Sequence, residues 1–212
     1  MVETFGRRVD EVVADRASLR REIGAPSARV LAKVTDRIDA MTARFIAASP
    51  FAMLATRRAD GGVDVTPRGD PAGFAKVLEP RLLALPERPG NRRLDALENL
   101  LEDPRLGLIF LIPGEGTTLR VSGEARIVRD SALAEAMAAQ GRTPELIVLL
   151  RVERVLVHCP KAFLRSGLWR PETWGGGDVP SMAEMMVAHG ELSETVDEMA
   201  EVIARDARER LY

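Results

Sequence analysis

The chain has 212 residues, 46% hydrophobic and 29% charged, a globular composition with room for one domain plus appendages. A formal net charge of -2 excludes general attraction to nucleic acid or to an anionic membrane surface, so any basic cluster needs a local explanation. Two histidines, His158 and His189, and one cysteine, Cys159, leave no internal disulfide and no ligand set for zinc, iron or copper.

No apolar run approaches the length of a membrane span, and the N-terminus is charged from Glu3 onward without a signal-peptide pattern. The expectation is therefore a cytoplasmic protein. No Walker loop, G-x-G-x-x-G or G-x-S-x-G is present, so the common nucleotide and hydrolase signatures are missing.

Residues 2–23 read as a charged amphipathic helix broken by Gly24, Ala25 and Pro26. Ser27 can cap a second helix carrying Val30, Leu31, Val34, Ile38, Met41 and Phe45 on one stripe, with Met41 and Phe45 expected in the core. Ser49 and Pro50 end the helical region. Residues 51–56 form a short strand, Asp60, Gly61 and Gly62 a hairpin turn, and residues 63–67 alternate with period two. Short strands follow at residues 74–78 and 81–85. Residues 106–112 are apolar on both faces, as expected of a central strand. Residues 118–128 place Leu119, Val121, Gly123, Ala125 and Ile127 on one face. A short helix at residues 131–140 precedes a last long strand at residues 146–157. The tail after Ser181 is helical, with a stripe of Leu192, Val196, Met199, Ile203, Ala207 and Leu211. The pattern predicts a mainly β protein with α decoration, an antiparallel barrel of six to seven strands.

Residues 85–97 stand out. Pro89 and Gly90 make a turn, Asn91 can cap a helix, and Leu94, Leu97, Leu100 and Leu101 recur at helical spacing up to the stop before Asp103 and Pro104. A helix dipole favours acidic residues in the first turn, yet Arg92 and Arg93 fall there beside Arg88. An anion such as a phosphate, held by backbone N–H groups and guanidinium forks, would resolve the conflict. A solvated face paired with Glu87, Asp95 and Glu98 would resolve it equally well.

The order of features resembles the FMN-binding split-barrel family related to pyridoxamine 5'-phosphate oxidase, within its uncharacterised branch of pyridoxamine-phosphate-oxidase-like flavoproteins. Residues 45–51, 54–56 with Asp60 and Gly61, and 66–70 carry the likeness. It continues through residues 86–93 and 119–121 to residues 158–162, Arg165, Ser166, Leu168 and Trp169. The resemblance covers roughly residues 19–174. It implies an FMN-binding split β-barrel over 49–174 and leaves the tail after Pro180 unexplained; with the helical stripes on either side, the expected division is N-terminal helices over 1–48, the barrel over 49–174 and a C-terminal helical extension over 175–212.

The resemblance further implies a homodimer with FMN at the subunit interface, acting as a flavin-dependent oxidoreductase on a small-molecule substrate. Arg92 and Arg93, with Arg88 and Asn91 nearby, would hold the ribityl phosphate. Val65, Thr66, Pro67 and Arg68 would lie along the isoalloxazine, Arg68 bringing positive charge to its N1 and O2 edge; a salt bridge to Asp70 is the alternative role for Arg68. Lys161, Arg165 and Trp169 would approach the second flavin or the substrate, and a tryptophan could stack on a ring. No catalytic residue is assigned, since the flavin carries the reactive atoms. The C-terminal Arg-Leu-rich segment of authentic pyridoxamine-phosphate oxidases has no equivalent here. Two alternatives share the fold: a non-enzymatic flavin- or haem-binding protein, with His158 as the axial ligand to haem, and an F420-dependent reductase.

Overall fold

The computed structural model describes residues 1–175 and 177–212, in two compact units, Met1–Val34 and Thr35–Tyr212. The first unit opens on a hairpin of β1 (Val2–Thr4) and β2 (Arg7–Val9) where a helix was expected. Phe5 and Gly6 both adopt positive φ, 49° and 71°, the geometry a two-residue hairpin turn requires. The helix proper is shorter: α1 (Arg16–Ile23) is capped by the Asp15 side chain, which accepts from the Ser18 N–H, and ends at Gly24. A single turn, α2 (Ala28–Leu31), follows, and no residue of this unit is buried.

The expected single stripe from Val30 to Phe45 is broken as well. After a two-residue extended segment, β3 (Val34–Thr35), a separate helix α3 (Ala40–Ala48) starts at Asp39. Asp39 and Thr42 form a reciprocal capping box, so the helix begins where two orphan N–H groups find side-chain acceptors. The N–H of Thr42 also holds the Asp39 carboxyl below its ordinary value. Ile46 is fully buried and Phe45 packs against the core, but Met41 is 64% exposed, contrary to expectation. Ser49 ends α3, its buried hydroxyl 2.8 Å from the Phe51 carbonyl oxygen and 2.5 Å from that of Leu111.

The second unit is built on antiparallel strands: β4 (Phe51–Arg57), β5 (Val63–Gly69), β6 (Lys76–Glu79), β7 (Leu82–Pro86), β8 (Arg105–Leu111), β9 (Thr118–Val128) and β10 (Ile147–His158). They pair in the order β5-β4-β8-β9-β10-β7-β6. Among the described residues no ladder joins β5 back to β6. The mainly β, antiparallel split-barrel architecture read from the sequence is therefore the one found. One core cluster contains Leu54, Leu85, Phe110, Val121 and Leu150, drawn from five strands, so the sheet curls around a common interior. Helix α4 (Asp95–Glu102) adds Ala96, Leu97 and Leu100 to it.

Period two decides what faces inward. Ala52, Leu54 and Thr56 of β4 and Leu106, Leu108 and Phe110 of β8 are buried. The opposite face of β8 departs from expectation: β8 is central in the ladder, yet Ile109 is 38% exposed. In β9, Gly123 lies beside the irregularity in β10 between Val152 and Arg154, and a Cβ there would collide with the carbonyl oxygen of Arg151.

The remaining helices are α5 (Ser131–Ala136), α6 (Lys161–Ser166), α7 (Met182–Gly190) and α8 (Val196–Glu209), with a 3-10 turn at Pro171–Thr173. Ser181 with Glu184, and Thr195 with Glu198, form capping boxes that fix the starts of α7 and α8. The two helices pack on each other. Of the tail stripe, Met199 is buried, whereas Val196 and Leu211 are exposed.

Candidate functional site

Edge strand β5 supplies the first part of the site. In its register with β4, Thr66 lies opposite Leu54 and Arg68 opposite Ala52, so both turn toward the core face. Val65 and Pro67, opposite Ala55 and Met53, point the other way and are exposed. Pro67 cannot donate to a ladder, and β5 tolerates it because it pairs on one side only. The same one-sidedness turns the main-chain groups of alternate residues along 65–68 away from β4, on the outer edge of the sheet.

Arg68 is held from three directions. One guanidinium nitrogen donates to the Thr66 hydroxyl and the Pro67 carbonyl, each at 3.0 Å, and the other to the Glu87 carboxylate at 3.2 Å. The sequence alternative of an Arg68–Asp70 bridge is not realised, because Asp70 belongs to Arg88. Its carboxylate accepts from Arg88 Nε at 2.6 Å and from the Tyr212 hydroxyl at 2.7 Å. The Asp70 side chain is 2% exposed and that of Arg88 14%. Arg88 also donates to the Met137 carbonyl at 2.7 Å and lies 5.8 Å from the centre of the Tyr212 ring. Burial pushes the Glu87 carboxyl above its usual range, against the pull of Arg68. The hydrogen bond to Asp70, with burial, raises the Tyr212 phenol.

These two ion pairs join the end of β5 to the chain leaving β7, across the opening of the ladder. They occupy a seam that strand pairing leaves unclosed.

The anticipated start of the mid-barrel helix is corrected. Helix α4 begins at Asp95, behind a left-handed Leu94 at φ 57°, rather than behind Asn91. The Asn91 side chain accepts from the Arg93 N–H at 3.1 Å and closes a local turn instead. Arg92 takes φ 63°. The first turn of α4 holds Asp95 and Glu98, as its dipole favours, so the expected clash between dipole and arginines does not arise. Arg93 pairs with Asp95 at 2.8 Å with both side chains largely in solvent, and Arg92 is exposed. Arg88 is turned inward and committed to Asp70, whereas Arg92 and Arg93 stand on the surface of the same loop. Leu97 and Leu100 enter the core, but Leu94 and Leu101 are 50% and 75% exposed.

The third group involves the end of β10, α6 and the residues after it. Trp169 stacks on Phe163 with ring centres 5.6 Å apart and planes 8° from parallel, and its indole N–H donates to the Glu115 carbonyl. Lys161 and Arg165 are exposed on α6. His158, at the end of β10, has Nε2 3.2 Å from a guanidinium nitrogen of Arg120. Within the barrel, Asn99 of α4 donates to Thr56 at 3.0 Å and to Asp64 at 2.8 Å, tying α4 to β4 and β5.

Residues 38–159, more than half of the chain and including the whole β5 edge and the seam, match the model of the pyridoxamine 5'-phosphate oxidase family. The chain belongs to that family. No curated protein matches it. Among solved structures, HupZ of Group A Streptococcus is 22% identical, covers 56% of this chain and 91% of its own, and superposes with a TM-score of 0.44. General Stress Protein 26 from Bacillus anthracis str. Sterne is 15% identical over 54% of this chain and 88% of that one, at 0.43. An FMN-binding protein from Syntrophomonas wolfei subsp. wolfei is 12% identical over 66% and 95%, at 0.43. The stretch that matches the pyridoxamine 5'-phosphate oxidase family stops before Lys161, Arg165 and Trp169 and before the helical tail.

Proposed function

We propose that the protein is an FMN-binding flavoprotein that works as an oxidoreductase on a small-molecule substrate, as a homodimer with the flavin at the subunit interface. The observation that carries this reading is the β5 edge. It offers the unpaired side of residues 65–68 next to a guanidinium, Arg68, that Thr66 and Glu87 hold in one orientation. Membership in the pyridoxamine 5'-phosphate oxidase family supports the same cofactor.

The chain's residues suit FMN in two respects. The outward main-chain groups of the segment Val65, Thr66, Pro67 and Arg68 would meet the polar edge of the ring, with Arg68 placing positive charge there. Arg92 and Arg93 present exposed guanidinium groups on a turn stabilised by Asn91, and the exposed pair of Arg93 with Asp95 is weak enough to yield to a phosphate dianion. When bound, FMN supplies a ring that accepts and passes on electrons. The protein's part is to anchor, orient and stabilise charge. Arg88 contributes by fixing the loop rather than by direct contact. Lys161, Arg165 and Trp169 are assigned to the second flavin or the substrate side; the bond of the Trp169 indole to the Glu115 carbonyl gives that ring a fixed orientation.

The outer sheet face supports the dimer. Met53, Val63, Val65, Pro67, Ile109 and Leu111 share it by register, and Val63 and Val65 are 65% and 58% exposed. Covering such a face with a second copy would bring the partner against the same edge that is offered to the flavin.

The test is the visible spectrum of the purified protein and the mass of whatever denaturation releases. A two-banded flavin spectrum with FMN released is expected. A Soret band, released F420, or a protein that takes up no added FMN would overturn the reading. In a folded Arg92→Ala/Arg93→Ala double variant, FMN affinity should fall by roughly a hundredfold, from the loss of two charge-assisted contacts. Unchanged affinity would remove the phosphate anchor from this loop.

A further inference from the structure

The helical segment after Pro180 lies outside the family match, yet it reaches the seam through the Tyr212 side chain. The Tyr212 hydroxyl donates to Asp70 Oδ1, 142 positions earlier in the chain, at 2.7 Å. The other oxygen of Asp70 accepts from Arg88 Nε, so both carboxylate oxygens are engaged. The Arg88 guanidinium sits within cation–π distance of the Tyr212 ring and donates to Met137 at the end of α5. Four separate segments thus meet on one ion pair: the loop after β5, the loop after β7, the end of α5 and the residues beyond α8.

Burial thins out along α8, and beyond the half-buried Ile203 the helix residues are exposed. Among its residues Met199, in the first turns, is the one that is buried, and Arg205, Arg208 and Arg210 are exposed. Met199 and the packing on α7 secure the beginning of the helix. Tyr212, just beyond its end, is tied to Asp70 and lies against Arg88.

We propose that Tyr212 is a positioning residue that latches the α7–α8 segment onto the seam and, through Asp70, fixes Arg88 and the loop carrying Arg92 and Arg93. The latch is an equilibrium between a docked and an undocked tail. Docking holds the ends of β5 and β7 together beside the ligand-facing edge; undocking frees Asp70 to swing and loosens the loop. Its effect on FMN rests on the proposed function, whereas the latch itself stands on the contacts of Tyr212.

Removing only the hydroxyl, in Tyr212→Phe, keeps the ring over Arg88 and deletes one hydrogen bond to a charged group, a change worth about tenfold in the docked-to-undocked ratio. Limited trypsinolysis of the full chain reads that ratio at Arg205, Arg208 and Arg210. Cleavage there should quicken about tenfold in Tyr212→Phe, and further in Tyr212→Ala, which also loses the ring. FMN, added as the probe, should bind several-fold more weakly to both variants, with the same spectrum when bound. Cleavage in Tyr212→Phe at the wild-type rate would overturn the latch. If wild-type protein binds no FMN, the proposed function fails, and the proteolysis contrast still decides the latch. If the tail loosens and FMN affinity is unchanged, the coupling between latch and site is overturned.

Discussion

Gly123 shows how one residue can be dictated by a contact far away in sequence. Its position in β9 faces the irregular part of β10, and an added methyl group would occupy the space of the Arg151 carbonyl oxygen. That obstacle is backbone in a paired strand and cannot rotate away. Gly123→Ala is therefore expected to lower stability by about 1–3 kcal/mol, the usual penalty for overpacking. Urea unfolding would check it, and a variant as stable as wild type would mean that the β10 irregularity can relax. Glu87 makes the residue-scale case for pH. Its carboxyl is raised above the unfolded value, so below that value the native state gains fully from the buried neutral form. As pH rises through the folded value the group must ionise where it is poorly solvated, and that contribution is lost. The stability advantage of wild type over Glu87→Gln should accordingly shrink as the pH rises above the ordinary glutamate value. Urea midpoints of the two proteins that run parallel across this rise would contradict it.

At the scale of elements, two ion pairs complete what strand pairing leaves open between β5 and β7. They differ from the arginine pairs on the surface in how much water reaches them. Arg88 with Asp70 is nearly dry, at 14% and 2% exposure, whereas Arg93 with Asp95 has 73% and 46% of the side chains in solvent. Arg88→Ala would leave Asp70 charged and buried with only Tyr212 for company, and is expected to destabilise the protein by about 3 kcal/mol. Arg93→Ala should change stability by no more than about 0.5 kcal/mol. Thermal melts of the two variants give the comparison directly. Equal effects would show that the seam pair is as solvated as the surface one. The two residues lie five positions apart in one loop, and sequence alone treats them alike.

For the whole molecule, the outer sheet face is the feature that a single chain leaves unexplained. Ile109 sits in the middle of the ladder, between β4 and β9, and is nonetheless exposed. The proposed homodimer would cover it, and Ile109→Asp would then place a charge in the centre of the interface. A shift toward monomer in sedimentation at micromolar concentration is expected for the variant, with the β-rich circular dichroism retained. A wild-type protein that is already monomeric would remove the dimer from the proposal, and with it the shared flavin site.

Much of this was legible from the sequence by itself. Period-two alternation in β4, β5 and β9, the Asp60–Gly62 turn and the apolar run of β8 specify strands because side chains on a pleated backbone must alternate faces. Residues 66–70 and 86–93 carried the family resemblance. Other features were not legible because two local signals competed. Asn91 is as good a cap as any, but its side chain closes the turn at Arg93, and α4 waits for Asp95. The stripe through Val30 and Phe45 is periodic, but the capping box of Asp39 and Thr42 restarts the helix within it. The hairpin at Phe5 and Gly6 lies in a stretch whose charges suggested a helix. Which arginine is buried in an ion pair and which stands in solvent was decided only in three dimensions. Arg68 meets Glu87 nineteen residues away, and Arg88 meets Asp70, Met137 and Tyr212. Local sequence sets the conformation of each segment, whereas the partner of a buried charge is set by which segments the closed sheet brings together.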